Sequence, residues 1–175
     1  MNFSLPLRRL AVLLTAAVAL PNCQQTCPLN MAPPPAFMLA FSTDTLESSS
    51  LGFRRAEVRS AYLVRYRTAT FQQPLDTLLQ PSASTLNSTK PVLAIHYYLA
   101  GHPPQFAVPD NGTPQAGQSY RLVVPAARRT YDISNVVLKQ EPGETRCAGD
   151  RITRREATVN GQLRDGLITL PELTR

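Results

Sequence analysis

The chain is poor in the residues from which catalytic and metal sites are most often built. It has no tryptophan, two histidines and three cysteines among its 175 residues. His96 and His102 are not accompanied by a carboxylate pattern, and the cysteines lack C-x-x-C spacing, which argues against zinc. There is no G-x-S-x-G elbow for a serine hydrolase and no D-x-D-x-D spacing for calcium. The sequence therefore predicts no catalytic residue, no metal site and no cofactor, and we expect a protein that is not an enzyme.

The acidic residues are also few and scattered. The chain has 12 Asp and Glu in total, and no two of them are spaced as a recognisable acid and base pair. Enzymes of β-sandwich type assemble sites from single residues on separate loops, so one enzymatic alternative stays open. That alternative is a cell-envelope hydrolase acting on polysaccharide or peptide.

Lysine is nearly absent from the basic residues, which comprise 16 arginines and 2 lysines. The net charge is +6, and it falls to +4 if Arg8 and Arg9 are removed with an export signal. Scattered arginines are typical of a solvated face, and an exported protein does not routinely meet nucleic acid. We therefore expect no nucleic-acid partner.

The amino-terminal residues 1–22 have the layout of a bacterial signal peptide. Arg8 and Arg9 supply the positive charge, and the apolar run Leu10–Leu20 follows. This run is shorter than the ~20 apolar residues that a membrane-spanning helix needs, so we expect cleavage. Leu20 and Cys23 match the ends of a lipobox, which predicts that Cys23 becomes the lipidated first residue.

Two other outcomes for this segment stay open. Ala17-Val18-Ala19 is an A-x-A cleavage site, and its use would release a soluble exported protein that begins at Leu20. An uncleaved anchor is the third. With Cys23 lipidated, we expect a protein that is anchored to a bacterial membrane, namely the outer membrane, and that faces the periplasm or the exterior.

The three cysteines are Cys23, Cys27 and Cys147, an odd number for an exported protein. Lipidation of Cys23 leaves one pair. An oxidising compartment permits a disulfide between Cys27 and Cys147, which would join the start of the mature chain to a segment near its end. The alternative is two free or metal-binding thiols, although the absence of C-x-x-C spacing and of a nearby histidine argues against zinc.

Residues 23–36 form a proline-rich tether, and residues 37–175 form one folded domain. Pro33-Pro34-Pro35 disfavours helix and strand pairing in the tether. In the domain, Phe37–Asp44 has Phe37, Leu39 and Phe41 at period two, which predicts a strand.

The most regular alternation in the domain covers Glu57–Arg67. Val58, Ser60, Tyr62, Val64 and Tyr66 fall on one face, and we expect that face to be buried. Arg65 and the other charged residues fall on the opposite, solvent-facing side. Alternation over such a length predicts a half-buried antiparallel strand.

Further strand patterns follow, separated by turn signals. Pro91–Ala100 is a continuous apolar run that predicts a buried strand containing a buried His96. Asn160-Gly161 is a strong hairpin signal. Together the patterns predict an all-β fold, an antiparallel β-sandwich of about seven strands, Ig-like or transthyretin-like. The remaining predicted strands are Ser119–Val124, Thr130–Gln140, Arg151–Val159 and the return that begins at Leu163.

Several stretches resemble the small β-sandwich lipoproteins of Bacteroidetes-type bacteria. They are the signal ending in Cys23, Phe37–Asp44, Glu57–Arg67, Gly117–Val124 and Thr158–Gly161. The resemblance implies fold and location and carries no catalytic residue.

The sequence features together predict that the protein functions in binding or structural support at the cell envelope. The partners are the membrane, through the lipid anchor, and envelope polysaccharide or another surface protein. Loops on a rigid sandwich carry recognition, which favours Thr68–Thr89 and Gly101–Gly117 as binding segments. Tyrosines on strands offer a sugar-binding face, although such side chains more often edge a core. These tyrosines are Tyr62, Tyr66, Tyr97, Tyr98, Tyr120 and Tyr131.

Overall fold

The chain folds into two β-sheets that share one core. The computed structural model describes residues 36–43, 52–82, 91–97, 103–108, 117–144 and 148–175. Ten strands, one short α-helix, α1 (Arg55–Arg59), and one 3₁₀ turn (Pro125–Ala127) lie in these ranges. The strands are β1 (Phe37–Phe41), β2 (Tyr62–Tyr66), β3 (Pro74–Leu78), β4 (Ile95–His96), β5 (Gln105–Val108), β6 (Ser119–Val124), β7 (Arg129–Glu141), β8 (Arg151–Val159), β9 (Gln162–Asp165) and β10 (Glu172–Leu173).

The predicted all-β sandwich is confirmed. One sheet has the strand order β10-β1-β5-β4, and the other has the order β3-β2-β6-β7-β8-β9. All strand pairs are antiparallel except β1 with β10, which is parallel. The estimate of about seven strands was too low, because β3 and β5 lie in segments predicted to be loops and β10 has only two residues.

The core lies between the sheets and is built around phenylalanine. Phe37, Leu39 and Phe41 are fully buried, as their spacing predicts. The Phe41 ring packs edge-on against Phe53, with centroids 5.3 Å apart, and contacts Phe106 at 5.5 Å. Such aromatic contacts add about 0.5–1.5 kcal/mol each to the free energy of burial.

The prediction for Glu57–Arg67 is wrong in its first half and inverted in its second. Residues 55–59 form α1, because the Glu57 carboxylate accepts the Arg54 backbone N–H at 2.8 Å and so caps the first turn. Glu57 also pairs with Arg175, 3.0 Å away. Because the strand begins only after the helix, its buried positions are shifted by one residue from the predicted ones. Leu63 and Arg65 are buried, whereas Val64 is only partly buried.

The apolar run Pro91–Ala100 does not form the predicted buried strand within its described part, residues 91–97. Only Ile95 and His96 pair with β5, and His96 is exposed rather than buried. Leu93 supplies the burial instead, and its N–H donates to the Leu79 carbonyl at 2.9 Å. Hydrophobic content alone could not distinguish a strand from a covering segment of this kind.

The carboxyl-terminal strands agree closely with their sequence patterns. Strand β8 spans Arg151–Val159, as predicted, and Asn160-Gly161 turns it into β9. Both turn residues have positive φ, 49° and 78°, as the hairpin geometry requires. The segment predicted to be a signal peptide, the predicted tether apart from Ala36, and Cys23, Cys27 and Cys147 lie outside the described residues.

Candidate binding surface

An arginine and an aspartate pair across the outer face of the six-stranded sheet. Arg121 on β6 lies between the buried Tyr120 and Leu122, so its side chain points away from the core. Its Nε donates to Asp132 Oδ1 at 2.6 Å and its Nη2 to Oδ2 at 3.1 Å. These hydrogen bonds raise the pKa of Arg121 above its usual value. The two-pronged geometry fixes the plane of the guanidinium.

Two aromatic rings lie beside this pair. The Arg121 guanidinium carbon is 5.6 Å from the ring centroid of Tyr66 and 5.2 Å from that of Phe71. The rings themselves meet edge to face with centroids 5.9 Å apart. We call Tyr66, Phe71, Arg121 and Asp132 the Arg121 cluster. It is a partly exposed surface of aromatic faces and a fixed ion pair.

The loop between β2 and β3 holds Phe71 in this position. Phe71 and Gln73 have φ angles of 59° and 55°, which side-chain-bearing residues rarely adopt. The Thr68 hydroxyl donates to the Gln72 carbonyl and accepts the Gln72 N–H, both at 3.0 Å. The fully buried Ser119 hydroxyl donates to the Thr68 carbonyl at 2.6 Å. Strain retained by surrounding structure is common at recognition sites.

A second arginine–aspartate pair lies on the opposite face of the same sheet. Arg65 on β2 donates through Nε to Asp76 Oδ1 at 2.6 Å and through Nη2 to Oδ2. The hydrogen bonds from Arg65 lower the pKa of Asp76. Only 7% of the Arg65 side chain is exposed, against 36% for Arg121. The Arg65 pair therefore belongs to the core, and the Arg121 pair is the one that a ligand can reach.

A groove of about 220 Å³ is lined by residues of both sheets, namely by β1 and β10 of one sheet and by β7, β8 and β9 of the other. We call it the seam groove. Its lining is mixed, and Glu172 is the single carboxylate among the described lining residues. The apolar side chains that border it, Leu39, Val159 and Leu173, are themselves buried. The Tyr131 hydroxyl donates to the Thr174 carbonyl, and burial raises the pKa of Tyr131. The lining residues are Leu39, Tyr131, Val159, Asn160, Gln162, Arg164, Pro171, Glu172, Leu173 and Thr174.

The tyrosines and histidines that the sequence offered as candidate binding residues differ in their exposure to solvent. Tyr66 lies in the Arg121 cluster, Tyr120 and Tyr131 are buried against the core, and Tyr97 is 39% exposed. His102 and Tyr98 lie outside the described residues. Within the described ranges, no three His, Cys, Asp or Glu side chains are grouped as a metal ion would require.

The predicted binding loops are only partly loops. Residues 74–78 of the first segment form β3, and residues 105–108 of the second form β5. No sequence pattern marks Phe71, Arg121 or Asp132 as a binding residue. One signal was available for Phe71, a lone aromatic residue between polar residues and just before Pro74, which is unusual for a solvated loop.

Comparison with known proteins assigns neither a family nor a function to this chain. No family model, no curated protein and no solved structure matches the chain. The described part of the chain has no helix with the length and hydropathy needed to cross a membrane.

Proposed function

We propose that the protein is a lipid-anchored binding protein of the bacterial cell envelope that recognises polysaccharide through the Arg121 cluster. The observation that carries the proposal is the contact of one fixed guanidinium with two aromatic rings on an outer sheet face. The protein acts by binding rather than by catalysis.

The chemistry of the cluster fits a sugar chain. Aromatic rings offer flat apolar faces to the C–H side of a sugar ring, and their rigidity limits the entropy lost on binding. Asp132 and Arg121 present acceptors and donors whose geometry is already fixed, which suits neighbouring hydroxyl groups. The exposed amides of Gln72 and Gln73 border the same loop. An extended polymer suits an open sheet face better than a closed pocket does.

Anchoring is the second part of the proposal, and it rests on Leu20 and Cys23 after the apolar run. Lipidation of Cys23, followed by the proline-rich tether, would hold the domain off a membrane surface. Replacing Cys23 with Ser should release the protein from membranes and abolish acyl labelling. A wild-type protein that carries no acyl chain and begins at Leu20 would contradict the lipid anchor. Recognition at the Arg121 cluster is a separate claim, and the binding assay tests it.

Binding can be tested with polysaccharide extracted from the bacterium's own envelope. Phe71→Ala and Arg121→Lys should each weaken binding at least tenfold, about 1.4 kcal/mol, whereas the matched control Leu79→Ala, at an exposed leucine, should not. Equal affinities for all variants would refute recognition at the cluster. Shortening of the polysaccharide during the assay would instead support the envelope hydrolase.

A further inference from the structure

Three exposed arginines lie at helix α1, outside the Arg121 cluster. Arg54 caps the start of the helix, and Arg55 and Arg59 lie four residues apart within it. Residues with this spacing lie on the same side of a helix, where two like charges repel each other and lower its stability. The repulsion is removed when a negative group lies close to both side chains.

The single acidic residue of α1 does not neutralise these arginines. Glu57 is buried, and its carboxylate accepts the Arg54 backbone N–H and pairs with Arg175. The ion pairs found among the described residues include neither the Arg54 side chain nor those of Arg55 and Arg59. The helix therefore presents positive charge that no carboxylate in the described part of the chain balances.

The Tyr97 ring lies beside the two arginines of the helix. The guanidinium carbon of Arg55 is 5.6 Å from the ring centroid of Tyr97. Burial raises the pKa of Tyr97, and the positive charges of Arg59 and Arg55 partly oppose that rise, so both guanidiniums lie near the phenol group. Tyr97 is nonetheless 39% exposed. We call Arg55, Arg59 and Tyr97 the α1 patch.

The α1 patch has the composition of a site for an oxyanion. Each guanidinium donates two parallel hydrogen bonds to a carboxylate or phosphate group, and such charge-assisted bonds are stronger than neutral ones. The Tyr97 hydroxyl adds a third donor group. An anion bound here would also relieve the repulsion between Arg55 and Arg59.

The exposed face of α1 suits a hydrated polymer better than a bilayer. A helix that binds a membrane surface inserts bulky apolar residues such as Trp, Phe or Leu between the lipids. The apolar Val58 of α1 is fully buried and is not available for insertion. The exposed residues of the segment are Arg54, Arg55, Ala56 and Arg59.

The α1 patch and the Arg121 cluster lie towards opposite ends of β2. Helix α1 ends at Arg59, shortly before β2 begins at Tyr62, and Tyr66 of the Arg121 cluster ends the strand. The five residues of β2 span about 13 Å at ~3.3 Å per residue. An oligosaccharide of a few sugar units covers such a length, so one extended polymer can contact both sites.

We propose that the polysaccharide bound by this protein is acidic and that Arg55, Arg59 and Tyr97 hold one of its carboxylate or phosphate groups. Because it names the charge of the polymer that the Arg121 cluster binds, this inference rests on the proposed function. The Arg121 cluster does not itself select a charged polymer, since Arg121 and Asp132 neutralise each other. The α1 patch supplies that selectivity.

The test compares acidic and neutral forms of one polymer. The acidic fraction of the envelope polysaccharide is isolated by anion exchange, and a neutral form is made from it by reducing its carboxylates and removing its phosphates. Portions that receive only one of the two treatments identify the anionic group. The wild type should bind the acidic form at least tenfold more tightly than the neutral form, and added salt should weaken binding of the acidic form alone.

Two double variants locate this preference. Arg55→Gln with Arg59→Gln should bind the acidic and neutral forms equally. Arg151→Gln with Arg164→Gln is the matched control, because it removes the same charge from exposed arginines of β8 and β9 and should retain the tenfold preference. Surface changes of this kind leave the fold intact, which circular dichroism checks.

Three results would overturn the proposal. The wild type could bind both forms equally, the control variant could lose the preference as well, or phosphatidylglycerol vesicles rather than polysaccharide could lose binding when Arg55 and Arg59 are replaced. The last result would assign the α1 patch to a membrane surface.

Phe71→Ala separates this proposal from the proposed function. Equal binding of both forms that Phe71→Ala still weakens would refute the acidic-polymer site and leave recognition by the Arg121 cluster standing. A charge preference that depends on Arg55 and Arg59, with affinities that Phe71→Ala does not change, would refute recognition by the Arg121 cluster and support the α1 patch.

Discussion

Replacing Arg65 with Ala should destabilise the protein far more than replacing Arg67, two residues further along the chain. Arg65 is 6% exposed and is joined to Asp76 by two hydrogen bonds, whereas Arg67 is exposed. A lost hydrogen bond to a charged group costs about 1.5–3 kcal/mol, and breaking a fully buried ion pair costs about 3–5 kcal/mol. The Asp76 side chain is 34% exposed, so water compensates in part. We expect a loss of about 2–4 kcal/mol for Arg65→Ala and under about 0.5 kcal/mol for Arg67→Ala.

Urea denaturation followed by circular dichroism measures both values at neutral pH. The pKa of Asp76 is lowered in the folded state by its hydrogen bonds from Arg65. A lowered carboxyl pKa gives stability that is complete above the ordinary Asp range and is lost as the pH falls through the lowered value. The difference between wild type and Arg65→Ala should therefore shrink in acid. Equal costs for Arg65→Ala and Arg67→Ala, or a difference that does not change with pH, would refute this account of β2.

Three further predictions concern packing, strain and the cysteines. Leu63→Ala, at a fully buried site, should cost about 2–5 kcal/mol in urea denaturation, whereas Val64→Ala should cost much less. Gln73→Gly should raise the free energy of unfolding by up to about 1 kcal/mol, because glycine adopts positive φ without steric cost, and a lower melting temperature would contradict the strained loop. Peptide mapping without reductant should find Cys27 joined to Cys147, and two free thiols would exclude the disulfide.

The sequence predicts those parts of the fold where local signals act alone. The hairpin at Asn160-Gly161 follows from two residues that accept positive φ, and the end of β8 follows from the alternation of Ala157, Thr158 and Val159. Strands such as β10 depend instead on partners distant in sequence. Glu172 and Leu173 become a strand only because β1 lies beside them.

Burial of Arg65 shows why alternation could not settle which face of β2 is inside. The sequence pattern assigns charged residues to the solvent face, and this rule fails when a charge has a partner at the same depth. Asp76, which lies opposite Arg65 on β3, supplies that partner. The pairing becomes visible only when the strand register is known.

The candidate site was harder to predict than the fold for the same reason. Arg121, Asp132 and Tyr66 come from three strands, and Phe71 comes from a loop. No spacing in the sequence brings these residues together. Only the sheet order β2-β6-β7 makes them neighbours.

Mapping the bound polysaccharide on the protein by NMR tests the central claim most directly. Envelope polysaccharide fragments added to the isotope-labelled protein should shift the amide signals of Tyr66, Phe71, Arg121 and Asp132, while the signals of β9 stay in place. Amide signals that remain unchanged at saturating polysaccharide, or that change only around the seam groove, would contradict recognition by the Arg121 cluster.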